Sequence, residues 1–253
     1  MGKYRLKSKQ KGSVITLMEV DTECQAWYIQ ADDRNAALQV LKAMSDEIRC
    51  LRNIYLNGDD VTEEVCPLLM TIGDASLPEE EYEKRGENVW VARSAKVAPT
   101  AFIGGPAIIG KDAEVRHCAF IRGNAIVGEG AVVGNSTELK NVVLFNKVQV
   151  PHYNYVGDSI LGYKSHMGAG SITSNVKSDK KLVVVKTSEG NIETGMKKFG
   201  AMLGDEVEVG CGSVLNPGTV VGSHSNIYPL SSVRGFVPAN SIYKNKSEVV
   251  EKY

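Results

Sequence analysis

Between Val91 and Leu139 an aliphatic residue recurs at every sixth position: Val91, Val97, Ile103, Ile109, Val115, Ile121, Val127, Val133 and Leu139. A small residue stands two places before most of them, at Ala95, Ala101, Ala107, Ala113, Ala119, Ala125 and Ala131, and glycine often follows, as at Gly104, Gly110, Gly128 and Gly134. The same beat resumes at Leu203, Val209, Leu215, Val221, Ile227 and Val233. A helix repeats every ~3.6 residues and a pleated strand every ~2, so neither keeps a period of six. Short strands on the flat sides of a triangular prism do. The fold class is therefore all-β, a left-handed parallel β-helix of hexapeptide repeats. The aliphatic residue fills the interior, and the small residue permits the tight corner beside it. A filled prism has no internal cavity, so its chemistry has to lie outside.

The chain has 253 residues, enough for one large domain or two small ones. A formal charge of −1 argues against a nucleic-acid partner held by bulk electrostatics. The five cysteines (Cys24, Cys50, Cys66, Cys118, Cys211) are odd in number and lack paired spacing, which suits free thiols in a reducing compartment. No stretch is apolar for long enough to span a membrane. The basic residues 3–11 are followed by no signal core, and Leu6 stands where a myristoylation site after Gly2 needs Ser or Thr. The plain reading is a soluble cytoplasmic protein.

Residues 1–86 carry no hexad and read as a small α+β region of unknown role. Strands are expected at 14–20 and 26–30. Asp32 or Asp33 caps a helix running to about Ile54, with Leu38, Leu41, Met44, Ile48 and Leu51 on a packing face. Residues 78–87 form a charged connector. The β-helix domain then occupies 87–253, with three hexads to each turn. Its beat is lost over 140–160 and returns briefly at Leu161, Met167 and Thr173. A longer interruption at 176–200 reads as a projecting β-hairpin, 182–186 paired with 191–194. It carries Lys177, Lys180, Lys181, Lys186, Lys197 and Lys198, and reads as an arm reaching a neighbouring subunit. The outer faces of such a prism have little cover, so a homotrimer is expected, with small-molecule sites in the clefts between subunits.

Four histidines are available: His117, His152, His166 and His224. His152 lies in VPHYNYVGD, where the repeat is disturbed and polar and aromatic residues gather. A neutral imidazole there can take a proton from an attacking amine or hydroxyl; a surface histidine capping a turn is the plainer alternative. Metal binding needs three converging ligands. His117, His152 and His166 lack the short in-coil spacing for that, so no metal is expected. Arg122 follows interior Ile121 and Lys140 follows interior Leu139, one turn apart, so the two cations project from equivalent positions on adjacent coils. Together they can grip one phosphate, with Glu138 beside them to meet a sugar hydroxyl or orient Lys140.

The run from Arg122 to Asn175 resembles a known family, the acetyltransferase half of bifunctional UDP-N-acetylglucosamine pyrophosphorylase/glucosamine-1-phosphate N-acetyltransferase. It is most similar to the branch of sugar-phosphate nucleotidyltransferase-like proteins. The segments that carry the likeness are AFIRGNAIVG, NSTELKN, PHYNYVGDSILG, MGAGSITSN and GMKKFGAMLGD. The resemblance implies that His152 accepts a proton from the 2-amino group as it attacks the thioester of acetyl-CoA, the expected co-substrate. It implies that Asn175 and Tyr155 hold the amino sugar or its phosphate. It gives Arg122 and Lys140 to phosphate, Glu138 to the sugar, and Lys181 to a neighbouring subunit's site. Ala169 and Gly170 meet acetyl-CoA through the backbone. Cys211 stands where the family often has Ser, and Lys246 or Lys244 reaches the 3′-phosphate of CoA. His166 replaces a frequent Asn beside the sugar, and is taken as substrate-binding. The first 86 residues show no likeness to the pyrophosphorylase half, so no uridylyl transfer is expected.

The function expected is N-acetylation of an amino-sugar phosphate or amino-sugar nucleotide, in UDP-N-acetylglucosamine biosynthesis. The alternatives are a non-catalytic trimer that binds a sugar phosphate or UDP-sugar, or acts as a scaffold, and O-acyl transfer from another donor.

Overall fold

The computed structural model describes residues 77–251 except 188, 189, 246 and 247. Before them it gives the strands Lys7–Ser8, Ile15–Asp21, Ala26–Gln30, Asn53–Leu56 and Asp59–Asp60. These five strands form one sheet in chain order, with Ala26–Gln30 parallel to Asn53–Leu56. The strands expected at 14–20 and 26–30 are present. Ile54 lies in a strand, so no helix runs that far; the rest of the expected helix falls outside the described residues.

From Val89 onward the chain winds as a parallel β-helix. The hexad residues Val91, Ile109, Ile121, Val127, Val133 and Leu139 are completely buried, as are Leu203, Leu215, Val221 and Val233. Val97 and Ile103, on the first coil, have a neighbouring coil on one side only among the described residues and are partly buried. The small residue of each hexad also points inward: Ala107, Ala113, Ala125 and Ala131 are fully buried. In later coils this place is taken by Thr137, Ser171, Ser213 and Ser225, whose hydroxyls satisfy inward carbonyls, as Thr137 does for Val150 (2.9 Å) and Ser225 for Pro238 (2.7 Å). A buried hydroxyl is tolerated only with such a partner.

Register defines three faces. Phe102, Phe120, Glu138, Tyr155, Ile172, Val214 and Ser232 stack outward on the first. Trp90, Ile108, Ile126, Val143, Ile160, Met202, Val220 and Phe236 stack on the second. The third carries Lys96, Glu114, Val132, Gln149, His166, Glu208, Asn226 and Ile242.

The coil survives the stretch where the sequence loses its beat. Phe120 pairs with Glu138, three full hexads further on. Glu138 then pairs with Tyr155, and Tyr155 with Ile172, each step falling one position short of three hexads. The interior series runs Leu139, Leu144, Val150, Val156, Leu161, Met167, Thr173, all completely buried. One residue is dropped between Leu139 and Leu144 and again between Val156 and Leu161. Both omissions fall at the corner joining the first face to the second.

Most of the second face is covered, with Phe236 left exposed at its far end, contrary to the bare faces expected. Leu77 and Tyr82 pack with Trp90, Ile108 and Ile126 in a cluster outside the prism. At the other end the strands Val184–Thr187 and Gly190–Glu193 form the hairpin inferred from the sequence. Val183 and Val185 are completely buried, in one cluster with Met202, Val220 and Val237, while Lys186 faces out. The hairpin's apolar side therefore lies on the prism. No helix among the described residues is long and apolar enough to cross a membrane.

The inward–outward register is open to test at two adjacent residues. Leu139→Ala removes a fully buried side chain and should cost about 2–5 kcal/mol, lowering the melting temperature by at least ~4 °C. Glu138→Ala, one place along and outward, should shift it by no more than about 1–2 °C. Equal shifts would refute the register.

Candidate functional site

Two neighbouring elements carry the candidate residues, a corner and a face. At the corner between the third and first faces, each coil after the first turns through a residue in the left-handed region: Cys118, Ser136, Tyr153, Gly170, Gly212 and Leu230. His152 ends the strand Gln149–His152 just before this turn. Its N–H donates to Oδ1 of buried Asn154 (3.1 Å), and its carbonyl accepts the Gly170 N–H (3.0 Å) from the next coil. Its backbone is thus fixed from two sides while the imidazole stays exposed, without a hydrogen-bond partner among the described residues. Ala169 lies on the coil above His152, and Cys211 on the one after, since the Ala169 carbonyl accepts the Gly212 N–H (2.9 Å). At Gly170 a Cβ would meet nothing within 4 Å, so the corner above His152 is open.

The first face gathers the remaining charges and amides. Arg122 and Lys140 follow the paired residues Ile121 and Leu139, and so stand one coil apart as expected. They do not share an open site. Arg122 Nη1 lies 2.9 Å from Glu138 Oε1, an ion pair that raises the guanidinium pKa further. Lys140 Nζ lies 3.3 Å from Asp158 Oδ1, and this second pair is much less exposed. Each cation is therefore neutralised by its own carboxylate, which corrects the expectation of two free cations.

Tyr155 stacks over Glu138, and its ring folds back along its own strand. A Cβ on Gly157 would lie 2.5 Å from the phenol oxygen, so the glycine in YVGD is what makes room for the ring. The phenol oxygen then accepts a hydrogen bond from Asn175 Nδ2 at 3.1 Å. Burial raises the Tyr155 pKa, which keeps the phenol protonated at neutral pH and suits it to donate a hydrogen bond rather than act as a base.

Asp158 joins these parts, and it was not singled out as a candidate from the sequence. It accepts from Lys140, from Asn141 Nδ2 (2.7 Å) and from Asn175 Nδ2. Asn141 in turn accepts from Asn124 Nδ2 (2.9 Å). Asn124, Asn141 and Asp158 all occupy the left-handed region, which Asn and Asp tolerate best among residues with side chains. Their even spacing, one per coil at the same corner, was the signal available in the sequence.

The other candidates lie elsewhere. His166 sits on the third face, its Nδ1 2.7 Å from Glu208 Oε2, in register with Gln149 and not with His152. Lys181 is exposed in the loop before the hairpin, its N–H bonded to Asp179 Oδ1, and it is bonded to none of the first-face cluster. Lys246 lies outside the described residues. Among those described, no group of three or more His, Cys, Asp or Glu is placed to hold a metal.

Comparison with known proteins places this arrangement. Residues 103–231 match the family of the GMPPB C-terminal domain. A bifunctional protein GlmU of Methanococcus aeolicus is 35% identical over 120 residues, 47% of this chain and 29% of that protein. A bifunctional sugar-1-phosphate nucleotidylyltransferase/acetyltransferase of Sulfurisphaera tokodaii is 33% identical over 112 residues, 44% of this chain and 28% of that protein. The chain thus spans about three-tenths of the length of these curated relatives. A solved hexapeptide transferase family protein from Anaplasma phagocytophilum superposes on 65% of this chain and 80% of its own, with 19% identity and a TM-score of 0.43. The family match covers half of the sequence and takes in both the His152 corner and the first-face cluster: the chain belongs to the GMPPB C-terminal domain family.

Proposed function

We propose that residues 87–253 form an acetyl-CoA-dependent N-acetyltransferase acting on an amino-sugar phosphate or amino-sugar nucleotide. The observation that carries this reading is His152: an exposed imidazole on a doubly fixed backbone, between an open corner and a face of hydrogen-bonding groups. The name of the Sulfurisphaera tokodaii relative, which includes an acetyltransferase, supports it.

In this reading the thioester lies along the corner over Gly170 and the amino sugar lies against the first face. The amine nitrogen attacks the thioester carbonyl and His152 takes the amine proton. The C–S bond then breaks, and the proton passes from the imidazolium to the CoA sulfur. No covalent enzyme intermediate is needed; positioning and proton transfer supply the acceleration. The backbone at Ala169, on the coil above His152, is placed to stabilise the oxyanion. Arg122 receives the phosphate by exchanging Glu138 for it, because water screens so exposed an ion pair and leaves it easily parted. Asn175 and Tyr155 hold the sugar. A homotrimer completes the cleft, its contacts including Phe102 and Phe120, which stack 5.5 Å apart and are exposed on the first face.

Purified protein given acetyl-CoA and glucosamine 1-phosphate should release free CoA, and His152→Ala should lower kcat by about 100-fold or more with the oligomer intact. Binding of the sugar phosphate without CoA release would favour a non-catalytic binding protein. Gly157→Ala should push the Tyr155 ring away from Asn175 and raise KM for the amino sugar on the order of tenfold, leaving KM for acetyl-CoA unchanged. Sedimentation equilibrium should give three chain masses, and Phe102→Glu with Phe120→Glu should yield a single chain mass. A wild-type monomer would remove the shared cleft from the proposal.

A further inference from the structure

We infer that Asp158 is a positioning residue that locks the side-chain amide of Asn175 with its oxygen outward. The site then reads a hydrogen-bond donor on the acceptor molecule. This rests on the acetyltransfer reading for its chemistry, but its geometry stands on the face itself.

A side-chain amide has a donor end and an acceptor end, and its partners decide which way it faces. Both hydrogens of Asn175 Nδ2 are engaged, one toward the Tyr155 oxygen and one toward Asp158 Oδ2. The reverse orientation would set Asn175 Oδ1 against a carboxylate oxygen, with lone pair facing lone pair and no proton between them. Asp158 is itself held in place. Its side chain is only 9% exposed, Lys140 and Asn141 donate to its other oxygen, and its carbonyl accepts the Gly200 N–H (2.8 Å). Asn141 is oriented by the same carboxylate, since it turns its NH2 toward Asp158 and its oxygen toward Asn124. One acceptor-only group thus sets the direction of the amides on either side.

Asn175 Oδ1 is left without a hydrogen-bond partner among the described residues, and it is not among the buried unsatisfied atoms. It is therefore an outward acceptor beside a protonated phenol. An amine or hydroxyl on the acceptor can donate to it, whereas a group bearing only acceptor atoms is repelled. In the proposed reaction this turns the nitrogen so that one N–H is held by Asn175 and the lone pair is free to attack.

The test is a polarity swap. Asp158→Asn keeps the shape but lets either amide turn over, so kcat/KM for glucosamine 1-phosphate should fall 10- to 100-fold while KM for acetyl-CoA stays within twofold. Asn175→Asp sets two carboxylates together and should fall at least as far. Combining the two substitutions again puts an amide donor opposite a carboxylate and leaves a carboxylate oxygen outward, so the double variant should be at least fivefold more active than either single one. Equal damage to both substrates' KM, or a double variant no better than the singles, overturns the inference. If the wild type releases no CoA, the acetyltransfer reading fails separately. The same series is then read by calorimetry with glucosamine 1-phosphate: weaker binding in each single variant and recovery in the double supports the positioning role, and flat affinities overturn it.

Discussion

Stacking of one coil on the next through a filled interior is the constraint on which everything else depends. Each coil donates its backbone hydrogen bonds to its neighbour, so no coil is complete alone. The spacing between coils, about 4.8 Å, is fixed by the sheet rather than by any side chain. That spacing makes a column of outward residues into a chemical unit. Arg122 and Glu138, or Tyr155 and Asn175, meet because they stand on adjacent coils, although about a turn of chain lies between them. The aliphatic core supplies the driving force and also the registration. A slip by one residue would turn Leu139 outward and bury the charges of Glu138 and Lys140.

Much of this was legible in the sequence because the interior repeats. The hexad alone defined the faces, the inward set and the alignment of Arg122, beside Ile121, with Lys140, beside Leu139. Two kinds of information were not periodic in six and were missed. The first was the shortened coil. Dropping one residue between Leu139 and Leu144 hides the beat, yet it leaves the interior intact because the loss falls at a corner. The second was pairing. Sequence spacing put Arg122 and Lys140 side by side, but it did not show that Glu138 and Asp158 reach them first. Asp158 stood in the PHYNYVGD segment, and its function as a hub depends on three donors from two other coils.

The corners explain why one fold supports both rigidity and reactivity. Their left-handed residues are tied coil to coil through the backbone, as where the Tyr153 N–H donates to the Asn135 carbonyl (2.9 Å) and the Asn141 N–H to the Gly123 carbonyl (3.2 Å), so their side chains can serve other ends. At the first corner Gly170 leaves open space on the coil above His152. At the next corner Asn124, Asn141 and Asp158 occupy the same backbone geometry and build a ladder of amides instead. The backbone is the same and the side chains differ: one corner is left bare beside His152 and the other is tied together to hold the first face still.

The two ion pairs divide the work of the face through their exposure. In the Arg122–Glu138 pair both side chains are about a third or more exposed, so water screens the attraction and an incoming dianion competes with Glu138 on good terms. Lys140 and Asp158 are 21% and 9% exposed, and separating them would leave a nearly buried carboxylate short of one donor. The first pair is suited to exchange partners and the second to stay closed. Lys140 steadies the carboxylate that orients Asn175. The alignment of two cations one coil apart therefore separates into a pair open to exchange and a support for the amide, a distinction that follows from burial and not from the residues' identities.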